Sequence, residues 1–444
     1  MVRFSLLWIL ALCACGKVNS NTPVDADLTD ADLTGMLNVV TQTRFFVSGG
    51  PAVGAAQANV DVVSLRPNDT VADMVQTDAS GHASLKVYPG GSITAIYQHP
   101  ADMGADLVTY FGVQPNDVLT FGQRFSPTTS NNLGSMTFSY PALAAAGSYE
   151  VFGPCGGGFA SAGTLSISIT EFDSCHHDPM DIVFLAFNST GQVINYNYIS
   201  NVAFQSGMAR SIGGWATAGN AMVTVTGLPP EVQSITGEFI TVGNIGSGSF
   251  NEEMFARSIS GQATGGAYTN SFPWAPTGLR TEARLFMSRL GTYRTMQIVD
   301  SLQSNSTTWT VASPVLPPWL QTFTASVADQ MAIMYLVGDG TYDAGMFRIN
   351  WNHVNGSTNV PFAWIFILPP QMTTFTFPKL PAQFAADLPQ PQDSFNVQAH
   401  VIEIPSVPSY DALRMIPEKS LICPGSFVPD CALRNNEFPR IIFE

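Results

Sequence analysis

The densest run of chemically capable side chains in the 444-residue sequence is Asp173-Ser174-Cys175-His176-His177-Asp178-Pro179-Met180-Asp181. Neutral imidazoles and carboxylates are donors that zinc and other divalent ions accept, so His176, His177 and Asp178 are the candidate metal ligands. Spacing works against a shared ion. Neighbouring side chains on a strand point to opposite faces, so both histidines reach one metal only where the backbone is irregular. The competing reading is a solvated loop pinned by a disulfide at Cys175, with Asp178-Pro179 making the turn. Asp339-Gly340-Thr341-Tyr342-Asp343 resembles part of a calcium loop, but too few oxygen ligands follow, and Asp-Gly is an ordinary hairpin turn. Arg280, Arg284, Arg289 and Arg294 can receive an anionic sugar or phosphate, or form a charged face paired with nearby carboxylates. Trp215, Trp274, Trp309, Trp319, Trp351 and Trp364 can stack on sugars or fill cores. No Gly-x-Ser-x-Gly elbow, phosphate loop, His-Glu-x-x-His or dinucleotide glycine motif occurs. No catalytic residue and no cofactor is therefore assigned, although a Ser-His-Asp set assembles in space and is not legible as a motif.

The first fifteen residues, MVRFSLLWILALCAC, set the compartment in which any such chemistry operates. Arg3 precedes an apolar run over residues 4–14, shorter than the roughly 20 residues of a spanning helix. The run closes on Leu12-Cys13-Ala14-Cys15, which resembles the lipobox of bacterial lipoproteins. That resemblance implies a lipid on Cys15 as the first mature residue, and Gly16 in place of Asp resembles lipoproteins sent to an outer membrane. An ordinary secretory signal cut nearby is the alternative, and both export the chain. Residues 16–35, with Asp25, Asp27, Asp30 and Asp32, read as an acidic tether.

Charge and cysteines agree with export. With 33 acidic against 18 basic residues and a net charge of −15, the chain repels nucleic acid and anionic headgroups. The expected partners are the membrane, through the N-terminal lipid, and a protein or glycan ligand. Cys155, Cys175, Cys423 and Cys431 allow three pairings, of which 155–175 with 423–431 is the simplest. Such bridges persist in a periplasm or on a cell surface, and each short loop closed this way contributes about 2–3 kcal/mol. No pair has the Cys-x-x-Cys spacing of a zinc site.

The elements that must position these residues read as strands. The chain is 45% hydrophobic and 11% charged, with 38 glycines and 30 prolines, a balance suited to many short strands and tight turns. Residues 36–124 alternate most clearly. A strand over 58–63 is followed by the turn Thr77-Asp78-Ala79-Ser80-Gly81, a strand over 83–88, Pro89-Gly90-Gly91 and a strand over 92–97. This order resembles carboxypeptidase-regulatory-like and bacterial Ig-like modules, which implies a small non-catalytic β-sandwich spacer. A Ser/Thr/Asn linker over 126–132 precedes a second sandwich at 134–230, where Leu165, Ile167 and Ile169 are expected on one face. Residues 231–405 form a further sandwich region, with a break near 313. There 362–368 is apolar on both faces and predicts a central strand, while Leu279, Ala283, Phe286 and Leu290 fit a short helix. Residues 406–444 read as a tail with a disulfide loop and no core.

The fold expected is all-β, with tandem Ig-like/fibronectin-like β-sandwiches behind a lipoprotein signal peptide. The expected role is that of a non-enzymatic, lipid-anchored cell-envelope or surface protein with a structural or binding, adhesion-type function, located as an outer-membrane lipoprotein that is periplasmic or surface-exposed. The alternatives are a secreted metal-dependent hydrolase and a carbohydrate-binding module.

Overall fold

Alternating apolar and polar residues give mostly strands in the computed structural model, which describes residues 35–45, 56–98, 104–125, 131–172, 176, 178–245, 250–289, 295–302, 305–314, 316–337, 340–355, 358–404, 407–415 and 440–443. The first segment supplies β1 (Gly35–Phe45), β2 (Asp61–Leu65), β3 (Val71–Gln76), β4 (His82–Val87), β5 (Gly91–Gln98), β6 (Ala105–Val113) and β7 (Val118–Phe125). The second supplies β8 (Asn132–Ser139), β9 (Ser148–Gly153), β10 (Gly156–Ser161), β11 (Ser166–Phe172), β12 (Met180–Phe187), β13 (Val193–Val202), β14 (Ala209–Ser211), β15 (Ala216–Thr217) and β16 (Gly219–Thr226). Then come β17 (Val232–Ile245), β18 (Phe250–Gln262), β19 (Ala267–Trp274), β20 (Arg280–Arg289), β21 (Thr295–Leu302) and β22 (Thr308–Ala312). The last are β23 (Trp319–Ser326), β24 (Met331–Val337), β25 (Ala344–Asn355), β26 (Thr358–Leu368), β27 (Thr374–Thr376), β28 (Ser394–Glu403), helix α1 (Tyr410–Arg414) and β29 (Arg440–Phe443).

The first segment folds as its turns dictate. Asp78 Oδ1 accepts the N–H groups of Ser80 (2.8 Å) and His82 (2.9 Å), and these bonds hold its carboxyl below the ordinary value. Gly81 takes φ +75°, and a Cβ there would lie 2.3 Å from Thr41 O, so only glycine closes this turn. The three-stranded sheet β4-β1-β7 covers one side of a core that holds Leu37, Val62, Leu85, Ile93, Tyr110 and Phe121. Met346, Ile367, Ile402, Tyr410 and Leu413 complete the same core, so residues near the chain's end finish packing that begins near its start.

The join is a strand pair. β26 runs antiparallel to β25 and parallel to β6, from Phe362↔Ala105 to Ile367↔Tyr110. This places 362–368 in the interior of a twelve-stranded sheet ordered β18-β17-β20-β21-β29-β28-β25-β26-β6-β5-β2-β3, as its two-sided apolar pattern predicts. A buried polar chain fixes the register. Trp364 Nε1 donates to Thr109 Oγ1 (2.8 Å), whose hydroxyl pairs with that of Thr94 at 2.8 Å. The ladder thus continues past the boundaries drawn from sequence at 124 and 231.

Three local expectations are corrected. β20 is a strand, not a short helix: it pairs with β17 and β21, and Ala283, Leu285 and Met287 alternate into the core. Two neighbouring strands satisfy its whole backbone, which outweighs a chance match to helical spacing. Leu165 precedes β11 and is 47% exposed, leaving Ile167 and Ile169 as the buried residues of that face. The opposite face pairs hydroxyls across strands: Ser135 with Thr170, Thr137 with Ser168, and Ser139 with Ser211. The segment after 406 does contribute to a core, through Tyr410 and Leu413 of α1, and β29 enters the large sheet between β21 and β28. The leader and Cys15, with the tether through residue 34, lie outside the described residues.

Candidate functional site

The candidate metal cluster divides between two neighbours. His176 Nδ1 lies 3.3 Å from Oε2 of the buried Glu171, and its ring meets Phe204 edge-on at 5.0 Å. Burial pushes the Glu171 carboxyl up, against the opposing pull of His176 and the Cys155 N–H. Asp178 is exposed, and its Oδ1 accepts the Phe204 N–H at 3.1 Å. His177 and Cys175 lie outside the described residues, among which no three His, Cys, Asp or Glu side chains gather to hold a metal. Cys155 is disulfide-bonded, and its Sγ accepts the Phe172 N–H at 3.2 Å. Its pairing with Cys175 rests on the sequence, as does that of Cys423 with Cys431, which are also outside the described residues.

The other sequence candidates fall mostly to structural roles. Arg284 is buried between carboxylates, its Nε 2.9 Å from Glu282 Oε1 and its Nη1 3.7 Å from Glu238 Oε2. Trp274, Trp309, Trp319, Trp351 and Trp364 are buried, so of the two roles open to them they take core filling. Trp215 is half-buried, stacked on Tyr149 at 5.6 Å, with Nε1 donating to Pro141 O at 2.8 Å.

A cavity of about 580 Å³ opens where β25, β28 and α1 converge near the start of β7, in the size range of small-ligand sites. Asp343 stands just before β25 and is fixed there by two bonds across to β28. Its N–H donates to Ile402 O (2.8 Å) and its Oδ2 accepts the Ile404 N–H (2.7 Å). Glu403, the residue between those two partners, lines the same space. Tyr342 donates its hydroxyl to Pro370 O, fixing the opposite wall.

Helix α1 closes the remaining side. Ser409 caps it by accepting the Ala412 N–H at 3.3 Å. The buried Tyr410 hydroxyl lies 2.8 Å from Phe111 O and 3.1 Å from Ile367 O, touching both strands of the parallel join. Arg414, 1% exposed, places Nη2 2.9 Å from Asp117 Oδ2 and Nη1 3.0 Å from Asp411 Oδ1, with its guanidinium over the Tyr410 ring at 5.0 Å.

The cavity's electrostatics are set by two carboxylates. Burial pushes the Glu403 carboxyl up to about 7, and the negative charge of Asp343 adds to the rise. Burial also raises Asp343, against the lowering effect of the Ile404 N–H bond. Nothing in the sequence singles out Glu403. Asp343 is visible only as part of a turn, because the strand pairing that joins the two residues is non-local.

No family model matches the chain, and no curated protein does. Similar solved structures include the Bacillus anthracis TIE protein, at 10% identity and TM-score 0.16 over 63% of this chain and 50% of that one. The shaft pilin spaA from Lactobacillus rhamnosus GG matches at 9% identity and TM-score 0.16 over 41% of this chain and 98% of that one. The chicken CNTN1 FN1-FN3 domains match at 9% identity and TM-score 0.13, over 58% and 84% respectively. The chain spans half the length of the first of these. The all-β fold rests on the chain's own strand ladders rather than on these likenesses.

Proposed function

We propose that the chain is an exported, lipid-anchored protein of the cell envelope that acts without catalysis, as a scaffold presenting a binding surface. The observation that carries this reading is the β6–β26 join, which welds strands from early and late in the chain into one sheet and sets the open cavity beside it. Rigid sheets bearing a polar cavity suit recognition. The leader supplies export, Cys15 supplies the lipid, and residues 16–35 supply reach from the membrane. The test is expression in a Gram-negative host with labelled fatty acid. The wild-type chain should take up label and partition with membranes, and Cys15→Ser should do neither. Label retained by the variant, or absent from both, contradicts the anchor.

A second reading, carbohydrate binding by the second module, is favoured by one observation: Trp215 keeps a partly open ring held in place by Tyr149 and Pro141. Trp215→Ala should abolish retention on any immobilised neutral polysaccharide that retains the wild type.

A further inference from the structure

We propose that the cavity between β25, β28 and α1 binds an organic cation, an alkylammonium or guanidinium group, with Asp343 and Glu403 as its paired counter-charges. This rests on the binding half of the proposed function and is independent of lipid anchoring, so failure of one leaves the other standing.

Three observations point to a cation. Asp343 is only 9% exposed, and while Oδ2 holds the Ile404 N–H, Oδ1 has no hydrogen-bond partner among the described residues. The Glu403 carboxylate makes no hydrogen bond or ion pair with a described residue, although it lies close enough to Asp343 to feel its charge. Two like charges held together without a positive partner are unfavourable, and a cation seated between them removes the conflict. The nearby guanidinium of Arg414 does not do so, because it is committed to Asp117 and Asp411.

The walls choose the kind of cation. Divalent metals such as calcium take six or more oxygens, whereas of the three carboxylates lining the cavity Asp411 is paired with Arg414, which leaves Asp343 and Glu403. Pro369, Pro370, Pro408 and the Tyr342 ring offer apolar surface, which suits the methylene stem behind an amine or guanidinium. The shared chemistry has two sources, a free diamine or a basic side chain on a protein, and the experiment separates them. Protonation matters because Glu403 takes up its proton near neutrality. The charged groups around it are Asp343 on the β25 side and Asp411 and Arg414 on α1, with Asp117 behind Arg414; Tyr342 and Tyr410 are the titratable hydroxyls.

The test is calorimetric titration of the full chain in detergent with cadaverine, with acetyl-Gly-Lys-Gly-amide and with calcium chloride, at pH 8 and pH 6. At least one amine should bind at pH 8, about tenfold more tightly than at pH 6, since ionisation near 7 leaves Glu403 mostly neutral at the lower pH. Tighter binding of the peptide assigns the site to a protein's lysine, and tighter binding of cadaverine to a free amine. Glu403→Gln should weaken binding by roughly tenfold or more. Asp343→Asn, which keeps an acceptor for Ile404 while removing the charge, should do the same with an unchanged circular dichroism spectrum. Three results overturn the proposal: no amine binding by the wild type at pH 8, amine binding unaltered in both variants, or calcium binding that displaces the amine.

Discussion

At the scale of single residues, Glu403 and Thr109 are the positions whose chemistry most clearly exceeds packing. The Glu403 carboxyl rises from an ordinary 4.5 to about 7, so the folded state holds its proton more tightly than the unfolded chain does. Its contribution is therefore present below about pH 4.5 and is lost as pH rises through 7. Half-burial screens the effect to about 1 kcal/mol. Urea unfolding should show stability falling by that amount between pH 5 and pH 8, with a flatter profile in Glu403→Gln. Thr109→Val removes the acceptor for Trp364 Nε1 and the partner of the Thr94 hydroxyl. Stranding a buried indole N–H costs about 1–3 kcal/mol, which should appear as a lower denaturant midpoint with an unchanged slope.

At the scale of elements, α1 is too short to persist by helix propensity and is held by what it touches. Arg414→Met leaves Asp117 buried without its cation and Gly112 O without its guanidinium donor, a loss of about 3 kcal/mol. Faster amide exchange over 407–415 should accompany it, and adding Asp117→Asn should recover part of the loss. Strands were the most legible elements in the sequence. The turn at Asp78-Gly81 and the central strand at 362–368 both stand as their residue types imply, because local hydrogen bonding and two-sided apolarity determine them. Elements held by distant partners were not legible. Leu279, Ala283 and Phe286 fit helical spacing while Ala283, Leu285 and Met287 fit strand spacing, and only the flanking β17 and β21 decide between them. Tyr410, Leu413 and Arg414 stand at i, i+3, i+4, but a single turn is too short to read as a helix, and their burial depends on a surface supplied by β6 and β26.

At the scale of the whole molecule, the chain returns to its start. The candidate site is correspondingly hard to read in advance: Asp343, Glu403 and Arg414 share no motif, and the His176 cluster that does look like one has Glu171 and Phe204 as its partners. Residues 36–124 expressed alone would leave the β6 edge bare and lose Met346, Ile367 and Leu413 from their core. That fragment should self-associate or unfold at lower urea than the same strands in the full chain, as size-exclusion and urea titration would report. The join itself is tested most directly by hydrogen exchange at single-residue resolution over β6. Flanked by β5 and β26, all amides from Asp106 to Tyr110 should be slow, whichever side they face. Fast exchange at every second amide would mean that one side of β6 is open to water, and would contradict both the join and the cavity built beside it.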